Sequence, residues 1–496
     1  MKRRICLLIS LVMLCTVFLS ACNDRTDNGG KDNSETVSIE DGLYVPDIPE
    51  RNYDGRTFTF LTCGVSADAD SEMVYNQDGN EKIATVVNDA IAERNRLVAE
   101  RLNVEIKEQY VVDTGRKNSE FANTVRTDVS AGAYEYQVIV PCIYDGATLA
   151  ASGYLYDLLG IPYLNMSQPW WDQTFNEELT INNKLYFTVG DLGTINKSAT
   201  AAMMFNKNLI EQYDLDNPYE LVKEKKWTMD RAFEMAKSIS SDDNNDGKID
   251  YNDSMGWSGQ LDDMWGLFYA SGEKIGSIGS DGYPILTMYN ERSTGVIDKM
   301  LELVQDKNHY ISANDYFDQA QWPAELTIKP FIEGRCLFFS ALVMHTSELK
   351  EMEDDFGVLP LPMYNDSQDS YHSLINPWVG NCFAVPVSVN EGELEFIGIV
   401  LEALGAESRN HVYEAYYEVA LKYQNTRDDD SIDMLDTIFT SRGCDIGIIY
   451  AWGGLDVELQ NMAYKTPGSF TSTYEAVKGM AESQLKTTVD FYKDLD

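Results

Sequence analysis

The chain has 496 residues, 44% of them hydrophobic and 11% aromatic, which is enough to fill more than one packed lobe and too much for a disordered chain. Its formal charge of −41 argues against nucleic acid, since phosphate recognition needs a positive surface. Anionic small ligands are disfavoured at long range, and neutral ones are the easiest to reconcile with such a surface.

Lys2, Arg3 and Arg4 precede an uncharged run from Ile5 to Ala21, the pattern of a secretory signal and too short to argue for a permanent membrane span. The run ends in Leu19-Ser20-Ala21-Cys22, which resembles the bacterial lipobox. That resemblance implies cleavage before Cys22, a thioether-linked diacylglycerol on its sulfur and palmitate-type acyl chains. Residues 1–21 are therefore expected to be a signal peptide, and the protein is expected to be anchored outside the cytoplasmic membrane by its N-terminal lipid. Losing three positive charges would take the formal charge from −41 to −44. Residues 22–50, rich in Asn, Asp, Gly, Ser and Thr and ending in Pro46 and Pro49, read as a hydrated tether. No later stretch is apolar for long enough to cross a bilayer.

The body follows as alternating elements. Thr57–Thr62 alternates as a strand with Phe58 and Phe60 on one face. From Glu81 to Asn103 the apolar residues keep helical spacing, and Val104-Glu105-Ile106 reads as the next strand. Phe121, Val125 and Val129 predict a helix, and Gln137–Val140 a buried strand. This β-α-β-α-β order predicts a parallel sheet covered by helices, with ligands gathering beyond the carboxyl ends of the strands, near Cys63-Gly64 and Tyr144-Asp145-Gly146. Further on, Met203–Lys207 ends another strand, and Thr228 caps a helix whose apolar face is Phe233, Ala236 and Ile239. Beyond the signal and Cys22, the cysteines at 63, 142, 336, 382 and 444 are scattered, contain no CxxC pair and dictate no disulfide.

Asp242 to Asp253 fits the register of an EF-hand calcium loop. Asp242, Asn244, Asp246, Asp250 and Asp253 take positions 1, 3, 5, 9 and 12, Gly247 takes position 6, and the Lys248 carbonyl falls at position 7. The four carboxylates at these ligand positions repel one another without a cation, so a structural Ca²⁺ is expected; the competing reading is an Asx-rich turn ending a helix.

Met204-Phe205-Asn206-Lys207 followed by Trp227-Thr228-Met229-Asp230, Phe233 and Ala236-Lys237 resembles a run found in family 1, sugar-type, extracellular solute-binding proteins of bacterial ABC importers. Phe331–Phe338, Gly357–Pro362 and Asn381–Val387 are similar to later strands of the same family, in the same order. The resemblance implies an α/β, two-lobed fold of the periplasmic-binding-protein type II kind with a ligand cleft between the lobes. By motif order, lobe one is expected at 51–155 plus 326–380 and lobe two at 156–325 plus 381–496. It also implies ABC permease subunits as partners, a carbohydrate ligand and a monomeric protein.

Neutral sugars present apolar C–H faces and hydroxyl edges, so aromatic rings beside Asp and Asn side chains are the cleft candidates. Trp378, in Asn376-Pro377-Trp378-Val379-Gly380, leads, followed by Trp265 with Asp262 and Asp263, by Tyr144 and Asp145, and by Trp257, Trp170 and Trp171. For each tryptophan, plain core packing is an equal alternative. His309, His345, His372 and His411 form no metal-ligand spacing and no GxSxG elbow is present. The expectation is a binding protein that captures a neutral oligosaccharide. The alternative is a surface-anchored, glycoside-active enzyme, because 80 acidic residues supply paired carboxylates freely; a lipoprotein adhesin or chaperone would show broad apolar patches instead.

Overall fold

The computed structural model describes residues 38–64, 72–74, 85–113, 115–417, 421, 428–466 and 468–495. The signal segment and Cys22 lie outside them. The first described residues depart from the tether expectation. Strands β1 (Ser38–Glu40) and β2 (Leu43–Val45) pair in an antiparallel hairpin around Asp41 and Gly42, whose φ values of 51° and 85° are those a two-residue type I′ loop requires. The hairpin is fastened to the body, since the Tyr44 backbone N–H donates to Asn410 Oδ1 at 2.8 Å and its carbonyl accepts from Asn410 Nδ2 at 3.0 Å. Only residues 22–37 are left to the tether expectation.

The first sheet is the expected β-α-β-α-β unit. Strands β3 (Arg56–Gly64), β4 (Val104–Val112) and β5 (Val138–Val140) are parallel in the order β4-β3-β5, with α1 (Thr85–Leu102) and α2 (Glu120–Ala131) as crossovers. Phe58 and Phe60 point to one buried face and Leu61 and Cys63 to the other, as a strand covered on both sides requires. Helix α3 (Ile143–Ala150) starts three residues after β5 ends, at the carboxyl edge of the sheet.

The second sheet has five strands. They are β6 (Ala201–Asn206), β7 (Met255–Gly259), β8 (Tyr310–Ser312), β9 (Cys336–Leu342) and β10 (Phe356–Leu359), in the order β8-β7-β9-β6-β10, with β6 antiparallel to both its neighbours. Every residue of β6 is buried: Ala202 and Met204 face the core that contains Ile311, Phe331 and Val358, and Met203 and Phe205 face the other. Thr228 caps α4 (Met229–Ala236) by accepting from Arg231 N. Helix α5 (Asp263–Ala270) follows β7 at the carboxyl edge.

These pairings correct the expected lobe boundaries. Residues 326–380 carry β9 and β10, which hydrogen-bond in one sheet with β6 and β7, so the segment belongs with the second sheet and not the first. Conversely, 156–199 and 381–407 return to the first: Thr188 bridges Phe383, Ile139 bridges Ala384 and Leu155 bridges Pro386. Helix α6 (Leu394–Glu407) packs there against α1. The chain crosses at Ala199–Ala201 and at Ile375–Asn381, and Thr200 bridges Ile375 where the two crossings run side by side. Helix α7 (Asp429–Thr440) then lies on the second sheet through Leu435 and Ile438, while α8 (Leu455–Asn461) sits by the crossings. The molecule is a two-lobed α/β fold, and among the described residues no helix is long and apolar enough to cross a membrane.

Strand β7 lies unusually close to the end of α4. A Cβ on Gly256 would stand 2.2 Å from the Ala236 carbonyl oxygen, so only glycine permits the approach. Gly256→Ala is expected to lower stability by about 1–3 kcal/mol through overpacking against backbone, measured as a shift of the urea midpoint at unchanged slope.

Candidate ligand-binding cleft

The carboxyl edges of the two sheets meet at the second crossing. Tyr144 and Asp145 sit in the first turn of α3, where β5 delivers them. Asp145 is buried and accepts from Ser119 Oγ, while Ser119 Oγ caps α2 by accepting from Ala122 N at 3.2 Å. Asp145 therefore anchors the loop that carries Lys117 and has no open face for a ligand. Lys117 Nζ lies 4.3 Å from the centre of the Tyr144 ring and 2.5 Å from Asp456 Oδ2. The Tyr144 ring meets Trp378 edge to face at 6.4 Å. Its hydroxyl is buried without a hydrogen-bond partner among the described residues, and burial, with Asp456 and Asp262 nearby, holds its pKa well above the ordinary tyrosine value.

The turn that bears Trp378 is built around Asn376. The Asn376 backbone N–H donates to the Ala199 carbonyl at 2.9 Å, its side-chain oxygen accepts from Trp378 N at 2.9 Å, and its Nδ2 donates to Asp262 Oδ2 at 2.8 Å. Gly380 lets the turn close on the first crossing, since a Cβ there would be 2.8 Å from both Asn196 Oδ1 and Ile143 Cδ1. So held, the Trp378 side chain stays 48% exposed. Below it, both amide atoms of Asn196 and the Oδ1 of Asp456 are buried and unpartnered among the described residues. Trp265 Nε1 donates to the Asp456 carbonyl at 2.8 Å, and Gln460 Nε2 donates to Asp262 Oδ1 at 2.7 Å.

Beside this cluster a small hollow opens between Asp262, Asp263, Gln260, Ser340 and Asn376. Asp263 accepts from the Tyr310 hydroxyl at 2.9 Å and from Ser340 Oγ. Burial pushes its carboxyl up to about 7, against the lowering effect of those two donors, and pushes Asp262 up as well. The site thus offers carboxylate and amide acceptors, a free hydroxyl and an exposed indole, with one lysine already matched to an aspartate. It suits a ligand with many hydroxyl groups, an apolar face and no charge.

Of the residues singled out from the sequence, Trp378, Tyr144 and Trp265 come together here, with Trp265 as a wall fixed through its indole N–H. Two do not. Trp257 is 0% exposed in β7, packed among Phe233, Tyr310 and Phe338 with its N–H on Ser340 Oγ at 2.8 Å. Trp171 is buried in the first lobe, where its N–H points at Glu402, and it shares that core with Trp170. Both are core residues, the alternative weighed for every tryptophan. Sequence reasoning missed Lys117, Asn196, Asp456 and Gln460, none of which stands in a motif.

The acidic loop closes on itself. Asp242 accepts from the backbone of Asp246 and Gly247, Asn244 from Asp246, and Asp246 from Lys248. The buried Asp253 carboxylate takes the backbone N–H groups of Asp243 and Asp250, at 3.1 and 3.0 Å. Among the described residues no three His, Cys, Asp or Glu side chains converge as a metal site. This is the geometry of the Asx-rich turn, so Ca²⁺ at Asp242, Asn244, Asp246, Lys248, Asp250 and Asp253 is a proposal carried by spacing alone.

No protein-family model matches the chain, and no curated protein matches it in sequence. Solved structures do match in fold. An ABC substrate-binding protein from Listeria monocytogenes in complex with cycloalternan aligns over 88% of this chain and 99% of its own, with TM-score 0.53 and 13% identity. A family 1 extracellular solute-binding protein from Bifidobacterium longum subsp. infantis covers 89% and 100%, with TM-score 0.51 and 14% identity. The maltose complex of a maltose-binding periplasmic protein from Listeria monocytogenes covers 89% and 99%, with TM-score 0.51 and 13% identity. At such identity the likeness is one of fold, the two-lobed periplasmic-binding-protein architecture.

A carboxyl that is harder to ionise folded than unfolded makes the fold lose stability as pH rises between the two pKa values. For Asp263 that window runs from about 4, the ordinary aspartate range, to about 7. Asp263→Asn is therefore expected to gain on the wild type as pH rises through it, by at most about 1.4 kcal/mol per pH unit, read from urea midpoints at several pH values. For the acidic loop, Ca²⁺ should raise the melting temperature relative to chelator in the wild type and less in Asp246→Ala; identical melts with and without Ca²⁺ leave the plain turn.

Proposed function

We propose that the protein is an extracellular solute-binding protein that captures a neutral carbohydrate, an oligosaccharide, and hands it unchanged to an ABC permease. The observation that carries the reading is a set of buried polar atoms without partners among the described residues, the Tyr144 hydroxyl under the exposed Trp378, the Asn196 amide by Gly380 and Asp456 Oδ1 beside Lys117. Each such atom is destabilising when dry and unpaired, by about 1–3 kcal/mol, and each is of the kind that pairs with a sugar hydroxyl. An indole face left open beside them matches the C–H face of a pyranose.

Other observations support the same reading. The acidic groups around the hollow and the overall charge disfavour anions, whereas a neutral ligand adds no charge to a site in which burial already resists ionisation of Asp262 and Asp263. Structures of the same fold were solved with cycloalternan, maltose and acarbose. Attachment to the membrane through Cys22 is part of the proposal and rests on the lipobox resemblance, as the permease partner and the monomeric state rest on the family resemblance.

Ligand held between the lobes contacts both only when they approach, so binding shifts an open-to-closed equilibrium, and the closed form is the state the permease would read. Calorimetry across a sugar panel should find a neutral oligosaccharide that binds, and chromatography should recover it intact; recovered hydrolysis products would favour the glycoside-active alternative. Trp378→Ala should weaken binding by about 1–3 kcal/mol with little effect on folding. Small-angle scattering should show compaction at saturation. An unchanged radius of gyration, or normal binding by Trp378→Ala, would overturn the closure model or the residue.

A further inference from the structure

Lys117 lies across the cluster beside Trp378. It belongs to the first lobe, in the loop between β4 and α2. Its partner Asp456 belongs to α8, and the Asp456 carbonyl is fastened to α5 of the second lobe by the Trp265 indole N–H at 2.8 Å. The ammonium stands 4.3 Å from the centre of the Tyr144 ring and 2.5 Å from Asp456 Oδ2. Both of those groups are buried, Tyr144 at 1% and Asp456 at 0% exposure, whereas the lysine side chain is 34% exposed. A side chain that is itself partly open to water thus covers a ring face and a carboxylate oxygen that are closed to it.

The backbone on either side of Lys117 is fixed. The Cys142 thiol meets the Arg116 carbonyl at 2.8 Å, and Ser119 Oγ donates to Asp145. Uncovering the ring therefore takes rotation of the lysine side chain, with no loop to rebuild. What lies under it suits a hydroxylated ring: a flat aromatic face for C–H groups, an acceptor oxygen at its edge, and a second Asp456 oxygen without a partner among the described residues. A buried carboxylate that loses its one cation with nothing in its place is strongly destabilising, so the lysine is expected to leave only as another donor arrives.

We propose that Lys117 is an internal occupant of the cleft: its ammonium holds, on the Tyr144 face and at Asp456 Oδ2, the place that a ligand ring takes, and binding exchanges one for the other. This rests on the carbohydrate reading above and adds an autoinhibitory contact to it. Exchange makes the site selective, because a ligand has to bring both a face for Tyr144 and a donor for Asp456 before the lysine is released. It also lowers the apparent affinity in proportion to the time the site spends filled by its own side chain, about tenfold where that is about 90% of the time.

Two measurements on the full chain test this. Lys117→Ala removes the methylenes and the ammonium that propylammonium supplies, so millimolar propylammonium should raise the melting temperature of Lys117→Ala by about 2 °C and leave that of the wild type where it was. Calorimetry with maltotriose, cellotriose, xylotriose and mannotriose should find Lys117→Met binding about tenfold more tightly than the wild type in the series that binds, and Lys117→Arg, which keeps a charge over the ring, should give back most of that gain. Propylammonium that shifts both melts equally, or neither, overturns the internal occupant. A Lys117→Met protein that binds its trisaccharide no more tightly than the wild type overturns the exchange and makes the lysine a wall or a ligand contact. If neither protein binds a trisaccharide while propylammonium still shifts the Lys117→Ala melt, the occupant stands and the carbohydrate reading falls.

Discussion

The cleft depends on how one short turn is tied to three other parts of the chain. Asn376 spends its backbone N–H on the first crossing, its side-chain oxygen on the turn itself and its side-chain nitrogen on Asp262, which Gln460 holds from the other side. The turn also lies against Asn196 and Ile143 with room for glycine only at position 380. A rigid connection of this kind lets two separately folded sheets present their carboxyl edges to one small volume, and such edges are where α/β proteins gather ligands.

The electrostatics of that volume are unusual for so acidic a chain. Asp262 and Asp263 are held by neutral donors, Asn376, Gln460, Ser340 and Tyr310, and not by cations, so burial wins and both carboxyls are harder to ionise than in water. Lys117 is the exception, paired with Asp456 and laid over the Tyr144 ring. A site organised through neutral hydrogen bonds keeps its acceptors directional without building a field that would draw in ions. Exposed surface charge, screened within about 10 Å at moderate salt, then governs solubility more than recognition.

Much of the first lobe was legible because its signals are local. Alternation at Thr57–Thr62, helical spacing before Asn103 and the apolar run at Gln137–Val140 each report their own burial. The Val104–Ile106 strand continues to Val112, past where its pattern was followed, since Lys107 to Tyr110 alternate between half-buried and exposed sides on a thinly covered edge strand. The Asp41-Gly42 hairpin was hidden by composition, although its dipeptide is a recognised turn former. Lobe membership of 326–380 could not be read from motif order, because strand pairing is a long-range choice. Here it is decided by the backbone of β6, which pairs with β9 on one edge and β10 on the other. Among the site candidates, Trp378 stands out in sequence through its Asn-Pro-Trp setting at the return crossing. Trp257, a lower-ranked candidate, could not be separated from a cleft residue because an aromatic in a doubly covered strand and one on a cleft wall have the same sequence context. Asp456 and Gln460 fit an ordinary helix, and only what faces them across the cleft makes them site candidates.

If the proposed binding function holds, the atoms left without partners among the described residues would give closure its energetic basis. A protein that buries the Tyr144 hydroxyl, the Asn196 amide and one Asp456 oxygen without partners gives up stability that a better-satisfied cluster would retain. A ligand whose hydroxyls meet those atoms recovers that free energy only in the conformation that brings both lobes to it. The recovered energy is then differential between open and closed forms, as a population shift requires, whereas contacts to one lobe alone would raise affinity without favouring closure. Trp378 differs from the polar atoms in this respect, because its ring is already presented by the turn and can take up the apolar face of a ligand before the lobes meet. Stacking would therefore come first and hydroxyl pairing second, so that the aromatic contact sets initial capture and the buried polar cluster sets how completely the bound protein closes.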